Sequence, residues 1–347
     1  MLSPGRAVVA GSVIVIGACL DVSGRTASED AQRLPSYPAY VAIQEGTSYT
    51  LPRVSGVSRL SSPSGVVQVE WAAGDSVLVT GLRRGFAEWD PTIHAPYPVR
   101  IAVLAQRRGG PILVGHHGVP SAAPENTLAG LRLACALGIP GIEVDVRFTA
   151  DSVPVLMHDR DVGRTSNGTG YVDRSTIAQL KLLDVGSWFG PEFVGERIPT
   201  LMDFLRSAAE CGFDHIQLDI KSFVPLGRDS GWVRIGRAVN EVGLLPRVFV
   251  ASDVSSLKRA VTLIPGVHTL VYGGLVSLTF ADTLIRSGVD AIGVSFDQYK
   301  LSASALAHLD SAGIIVGVWA PPAVLDLNTL TPTPRFVTSD WGWRFVH

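Results

Sequence analysis

Residues 110–347 are predicted to form an α/β domain, a (β/α)8 TIM barrel, preceded by a small β-rich N-terminal module. Two observations predict the barrel: strand-like and helix-like segments alternate from residue 112 onward, and polar side chains gather on one face of at least two strands. Nine runs qualify as strands, at residues 112–116, 142–146, 153–157, 215–220, 248–251, 268–272, 291–296, 314–319 and 336–339. A parallel barrel takes eight. Only residues 148–152 separate the second run from the third, and a parallel crossover needs about a dozen residues. The third run is therefore expected to fold back on the second as a hairpin. Eight parallel strands remain, with helices such as 127–137 and 200–211 between them.

The elements ahead of the barrel follow in order. Arg6 precedes an apolar run, residues 7–18, too short to span a bilayer but right for the core of a signal peptide. Residues 1–19 are thus expected to direct export. The run closes as Ile16-Gly17-Ala18-Cys19, which resembles the lipobox of bacterial lipoproteins, so Cys19 is expected to carry a lipid that anchors the chain to the cell envelope. Plain secretion with Cys19 incidental is the alternative. Residues 20–36 are polar and read as a linker, and residues 37–108 hold short β-like runs at 66–71, 76–82 and 99–105, the β-rich module. Cys135 and Cys211 fall in stretches read as helical and are expected to be small buried residues rather than a disulfide framework or zinc ligands.

The 347 residues are 46% hydrophobic and 17% charged, which supports a full core and excludes extensive disorder. The net charge of −2, with no cluster of Lys and Arg among aromatics, excludes nucleic acid as a partner.

Three clusters carry chemistry: Gly115-His116-His117-Gly118, the pair Glu143 and Asp145, and His158-Asp159, each at the end of an apolar run. Successive side chains alternate across a strand, so in Ile142-Glu143-Val144-Asp145-Val146 the two carboxylates share one face. In His215-Ile216-Gln217-Leu218-Asp219-Ile220-Lys221 the polar residues again share a face opposite the aliphatics. If the aliphatic faces meet the helices, the acidic faces converge in the barrel mouth. Three carboxylates cannot be desolvated unpaired, which calls for one divalent cation, and oxygen donors favour magnesium, calcium or manganese over zinc. Ion pairs with Lys221 and Arg147 are the alternative.

Val114-Gly115-His116-His117-Gly118, Pro124-Glu125-Asn126-Thr127, Ile142-Glu143-Val144-Asp145-Val146 and Val155-Leu156-Met157-His158-Asp159 resemble, in order and spacing, the glycerophosphodiester phosphodiesterase family. The likeness continues through Arg164-Thr165-Ser166-Asn167-Gly168-Thr169-Gly170, Ile198-Pro199-Thr200-Leu201, Leu218-Asp219-Ile220-Lys221, Trp319 and Thr338-Ser339-Asp340, and says nothing of residues 1–108. It implies a barrel hydrolase that splits glycerophosphodiesters, its small-molecule substrates, into sn-glycerol 3-phosphate and an alcohol. By position it implies His116 and His158 as general acid and base, and Glu143, Asp145 and Asp219 as metal ligands. His117, Lys221 and Trp319 are expected to contact the substrate, with Trp319 as barrel core the alternative. Glu125 and Asn126 support the site in the family's matching segment, although N-capping of the helix also explains Asn126.

Two departures from the family pattern stand out. His117 occupies a position that is usually arginine, whose planar fork would grip phosphate. Asp219 replaces the usual glutamate, one methylene shorter. Related phospholipase D toxins of the same barrel type resemble this chain in using aspartate there, so a phospholipase D-like or sphingomyelinase D-like phosphodiesterase is the enzymatic alternative. An exported, non-catalytic binding module is a second alternative.

Overall fold

A computed structural model describes residues 111–321 and 329–340, together with the backbone of seven strands between residues 14 and 104. The chain divides into two compact units, Met1–Arg108 with Val346–His347, and Gly109–Phe345.

The first unit carries β1 (Ile14–Ile16), β2 (Tyr40–Gln44), β3 (Ser48–Leu51), β4 (Val67–Ala72), β5 (Ser76–Gly81), β6 (Gly85–Trp89) and β7 (Val99–Leu104). They pair as two sheets, β1-β2-β7-β6 and β3-β5-β4, antiparallel except for β2 with β7. Apart from Ile14–Ile16, the expected export signal, Cys19 and the linker lie outside the described residues.

The second unit is the barrel. Its parallel strands are β8 (Ile112–Gly115), β9 (Gly141–Phe148), β11 (His215–Ile220), β12 (Val248–Ala251), β13 (His268–Gly273), β14 (Ala291–Ser295), β15 (Ile315–Trp319) and β16 (Phe336–Ser339). β8 pairs with both β16 and β9, which closes the ring. β10 (Pro154–Leu156) returns antiparallel along β9, with Pro154 opposite Phe148 and Leu156 opposite Val146. The short connection thus does what its length requires. Around the strands lie α1 (Leu128–Ala136), α2 (Ile177–Leu180), α3 (Leu201–Cys211), α4 (Arg228–Glu241), α5 (Val254–Leu263), α6 (Leu278–Ser287), α7 (Phe296–Tyr299) and α8 (Ala303–Ser311).

Strand parity decides what fills the ring. Ile142, Val144, Val146, Ile216, Leu218 and Ile220 are buried, while Glu143, Asp145, Gln217 and Asp219 take the other face, with Gln217 opposite Glu143 and Asp219 opposite Asp145. Towards the strand N-termini the lumen holds an apolar cluster of Val114, Phe249, Ala251, Leu270, Ala291 and Phe336, with the buried His215 ring packed against both phenylalanines. Gly317 makes that layer close. A Cβ there would lie 2.2 Å from the Phe336 ring, so no other residue fits beside this phenylalanine. Above it, Gln217 accepts hydrogen bonds from Tyr272 (2.6 Å) and Thr338 (3.0 Å), making a polar floor under the barrel mouth.

The two cysteines differ from expectation. Cys135 of α1 and Cys211 of α3 form a disulfide, with Cα atoms 5.6 Å apart. Parallel βα units set α1 and α3 side by side on the barrel, so residues 76 positions apart in sequence meet, a proximity that spacing alone does not reveal. Nearby, the Glu196 carboxylate accepts a 3.3 Å hydrogen bond from the Ala129 N–H in the first turn of α1, and burial pushes its carboxyl up to about 7.

Two stability predictions follow from these contacts. Replacing both Cys135 and Cys211 by serine lowers unfolding free energy by about 2–4 kcal/mol in guanidinium titrations, because a long loop is released in the unfolded chain. The folded chain holds the Glu196 proton more tightly than the unfolded chain, so this group's contribution is present below about pH 4.5 and is lost as pH rises through about 7. Relative to Glu196→Gln, the wild type therefore loses about 2.5 kcal/mol between pH 5 and pH 8; parallel denaturation curves for the two proteins would refute this.

Candidate active site

The strand C-terminal ends converge on a cavity of about 230 Å³ lined by His116, Glu143, His158, Asp219, Lys221, Tyr272, Trp319 and Thr338. Each comes from the part of a barrel where catalytic groups are built.

The turn after β8 places the first two histidines. A Cβ on Gly115 would lie 2.1 Å from the Gly118 carbonyl oxygen, so the chain can reverse this tightly only with glycine at 115. His117 sits in the left-handed region at φ 50°, and its N–H donates to Glu143 Oε2 at 2.9 Å. The His116 Nδ1–H donates to Asp340 at 2.6 Å, and its Nε2 lies 4.0 Å from Glu143. The His117 Nε2 lies 3.1 Å from Asp145 and 3.9 Å from Glu143. The His117 ring packs against both His116 and His158, with centroids 3.7 and 5.3 Å apart.

His158 follows β10, so the hairpin is what delivers the second cavity histidine. Its Nδ1–H donates to Asp159 at 2.7 Å, and Arg147 holds its carbonyl with two bonds of 2.8 and 2.6 Å. Arg164 bonds Asp159 and forks onto both Glu125 oxygens at 2.8 and 2.7 Å, tying the hairpin to the loop before α1.

Asp145 is wholly buried. Asn126 donates from Nδ2 to Asp145 Oδ2 at 2.7 Å and accepts the Asp145 N–H at 2.9 Å. The capping expectation for Asn126 is corrected here: Thr127 caps α1, its hydroxyl accepting from the Gly130 N–H at 3.1 Å. Asn126 instead adopts φ 55°, a left-handed conformation that asparagine tolerates, and turns its amide onto Asp145. Lys221 bridges Asp219 at 2.6 Å and Asp145 at 3.0 Å. The ion pairs expected of Lys221 are therefore present, whereas Arg147 bonds the His158 carbonyl.

The electrostatics separate these groups. Burial opposes charge on His116, but the Asp340 hydrogen bond and the surrounding carboxylates raise it to about 9. Burial lowers His117 to about 4, with the charge of His116 adding to the effect. Burial and the Asp145 charge raise Glu143 to about 8. Burial also raises Asp219 above the usual carboxylate range, against the pull of Lys221.

One ammonium cannot balance Glu143, Asp145 and Asp219. Their donor atoms lie within 4.8 Å of one another, and the buried Asp145 Oδ1 accepts no hydrogen bond although Lys221 faces it. The trio therefore fits a divalent cation, with Glu143, Asp145 and Asp219 as the residues that would hold it. Such an ion would act as a Lewis acid and template toward a phosphoryl oxygen.

The structure brings His116, His158, Glu143, Asp219, Lys221 and Trp319 together around the cavity, with the Trp319 indole N–H buried and without a hydrogen-bond partner among the described residues. His117 stands against the carboxylates rather than on the cavity wall. Glu125 and Asn126 lie outside the cavity and act through Arg164 and Asp145. Sequence reasoning named Asp159, Thr338 and Asp340 within its motifs but gave them no role, although Asp159 and Asp340 hold the histidines and Thr338 lines the wall, and it missed Tyr272. Tyr272 shares strand parity with His268 and Leu270, so extending the face argument to β13 would have found it.

The sequence matches the Glycerophosphoryl diester phosphodiesterase family over residues 116–319, more than half of the chain. It is 37% identical over 143 residues to a glycerophosphodiester phosphodiesterase of Caldanaerobacter subterraneus, covering 41% of this chain and 57% of that protein. It is 40% identical over 119 residues to glycerophosphodiester phosphodiesterase 1 of Bos taurus, covering 33% and 35%. These alignments span about half or less of the relatives' own lengths. Among solved structures, it resembles an Oleispira antarctica phosphodiesterase in complex with the product sn-glycerol-3-phosphate, at 25% identity and TM-score 0.60, covering 67% of this chain and 94% of that one. It also shares the fold of a glycerophosphodiester phosphodiesterase from Agrobacterium tumefaciens, at 22% identity and TM-score 0.57, covering 68% and 99%.

Asn126→Ala removes both contacts to Asp145 and strands the buried Asp145 N–H. Urea denaturation should show a loss of about 2–4 kcal/mol; a change under about 0.5 kcal/mol would contradict this account of Asn126.

Proposed function

The chain belongs to the glycerophosphoryl diester phosphodiesterase family, and from that premise we propose that it hydrolyses glycerophosphodiesters to sn-glycerol 3-phosphate and an alcohol. One observation carries the reading: His116 and His158 both line the carboxylate-walled cavity, and each has its Nδ1 engaged by its own carboxylate. Asp340 and Asp159 thereby leave both Nε2 atoms for proton transfer. The Oleispira antarctica relative, which holds sn-glycerol-3-phosphate as its product, supports the substrate class.

Glu143, Asp145 and Asp219 would hold a divalent ion, and their oxygen donors favour magnesium, calcium or manganese. Lys221 adds a fixed positive charge beside the phosphate position. His158 takes the proton of the substrate's neighbouring glycerol hydroxyl, whose oxygen then bonds to phosphorus. The bond from phosphorus to the leaving alcohol breaks as His116, whose protonated form the Asp340 hydrogen bond favours, donates its proton to the departing oxygen. Water opens the resulting cyclic phosphate with the two histidines in reversed roles, giving sn-glycerol 3-phosphate. The unpartnered Trp319 N–H supplies a donor on the cavity wall for a substrate oxygen.

Export completes the reading. The apolar run at residues 7–18 ending in Cys19 supports a lipid-anchored or secreted protein, and the Cys135–Cys211 disulfide suits an oxidising compartment. Among the described residues, no helix is long and apolar enough to cross a membrane.

The test is release of sn-glycerol 3-phosphate from choline, ethanolamine, glycerol and inositol glycerophosphodiesters, with and without chelator. Release is expected to be abolished by chelator and reduced about 10²–10⁴-fold in kcat by His116→Ala or His158→Ala. Folded wild type that releases nothing with any metal would overturn the proposal.

A further inference from the structure

The Gly115–Gly118 turn does something to position 117 that the sequence does not announce. It buries the His117 imidazole among the metal-site carboxylates, with Nε2 3.1 Å from Asp145 Oδ2 and 3.9 Å from Glu143 Oε2. Ligands sharing one ion at bond lengths of about 2.1 Å are spaced this way, so the nitrogen stands where a first ligand of that ion would stand. The backbone fixes it there, because His117 is locked at φ 50° and its own N–H is bonded to Glu143.

We propose that His117 is a nitrogen ligand of the cation, and that beside Glu143, Asp145 and Asp219 it makes this site prefer a transition-metal ion of the manganese, cobalt or zinc class over magnesium or calcium. The inference rests on the divalent-cation reading above and names the ion's chemical class.

The position of Lys221 favours this side of the site. Its ammonium lies 2.6 Å from Asp219 and 3.0 Å from Asp145 Oδ1, so an ion shared by the carboxylates is displaced from the ammonium toward His117, whose nitrogen meets the other Asp145 oxygen. Imidazole nitrogen binds borderline ions more strongly than it binds calcium or magnesium, which select oxygen. Three carboxylates and one imidazole also leave positions of a six-coordinate ion open for a phosphoryl oxygen or water.

The test uses the full chain, stripped of metal by chelator. Co²⁺ and Mg²⁺ are titrated separately by calorimetry, and the one-equivalent Co²⁺ protein is examined by proton NMR for a paramagnetically shifted, exchangeable imidazole N–H. Co²⁺ is expected to bind more tightly than Mg²⁺ and to show that resonance. His117→Asn, chosen because asparagine tolerates the left-handed backbone at this position, is expected to lose the resonance and to weaken Co²⁺ about tenfold or more, with Mg²⁺ affinity within about twofold of the wild type. Tight Co²⁺ binding with no such resonance in the wild type, or with both resonance and affinity intact in His117→Asn, overturns the nitrogen ligand and leaves the cation reading standing. Absence of binding by either ion to folded wild type overturns both. Should His117→Asn melt below the working temperature, the wild-type resonance and the Co²⁺ to Mg²⁺ ratio decide the question alone.

Discussion

Asp145 has no exposure to solvent, and the groups around it are arranged by the need to keep its charge in a buried place. A lone carboxylate there would cost several kcal/mol, so it must be neutralised and hydrogen-bonded. Asn126 bonds both its carboxylate and its N–H, Lys221 supplies a positive charge, and the Met157 N–H closes on its carbonyl at 3.1 Å. These partners come from the loop before α1, from the chain just after β11 and from the hairpin. One buried charge thereby draws three separate segments into register, and the positions of both cavity histidines follow.

The barrel supplies what Asp145 alone could not, a closely packed and hydrogen-bonded floor. Phe336 fills the space left by Gly317, and the layer above is held by Gln217, whose carbonyl oxygen is shared between Tyr272 and Thr338. That arrangement leaves the Gln217 amide to meet His215 Nε2 at 2.8 Å, so a polar chain passes through the lumen with its donors and acceptors matched. A mouth built on such a floor can hold like charges close together. Elsewhere they would relax apart.

How much of this the sequence disclosed depends on how local each cause is. Strand parity is local, so the shared faces of Glu143 with Asp145 and of Gln217 with Asp219 could be read directly, and the five-residue gap before residue 153 was enough to expect a hairpin. Partnerships across the ring are not local. Asp340 meets His116 from 224 residues away, and Cys135 meets Cys211 from 76, because ring closure and helix order bring them together. Asn126 shows a third kind of failure: its residue type suits both a helix cap and a left-handed turn, and only the buried carboxylate opposite it chooses between them. For the β-rich module, pattern gave strands but no chemistry.

The two neighbouring histidines show why residue type alone does not assign a role. His116 and His117 are adjacent, their rings touch, and both face the same carboxylates, yet His116 is raised to about 9 and His117 lowered to about 4. Burial opposes the charged form of both. The difference is Asp340, which takes a hydrogen bond from His116 and has no equivalent on His117, whose charged form is further opposed by His116 itself. The turn that puts two identical side chains side by side thus places one ring against Asp340 on the cavity wall and the other against the buried carboxylates, so two environments arise from one dipeptide.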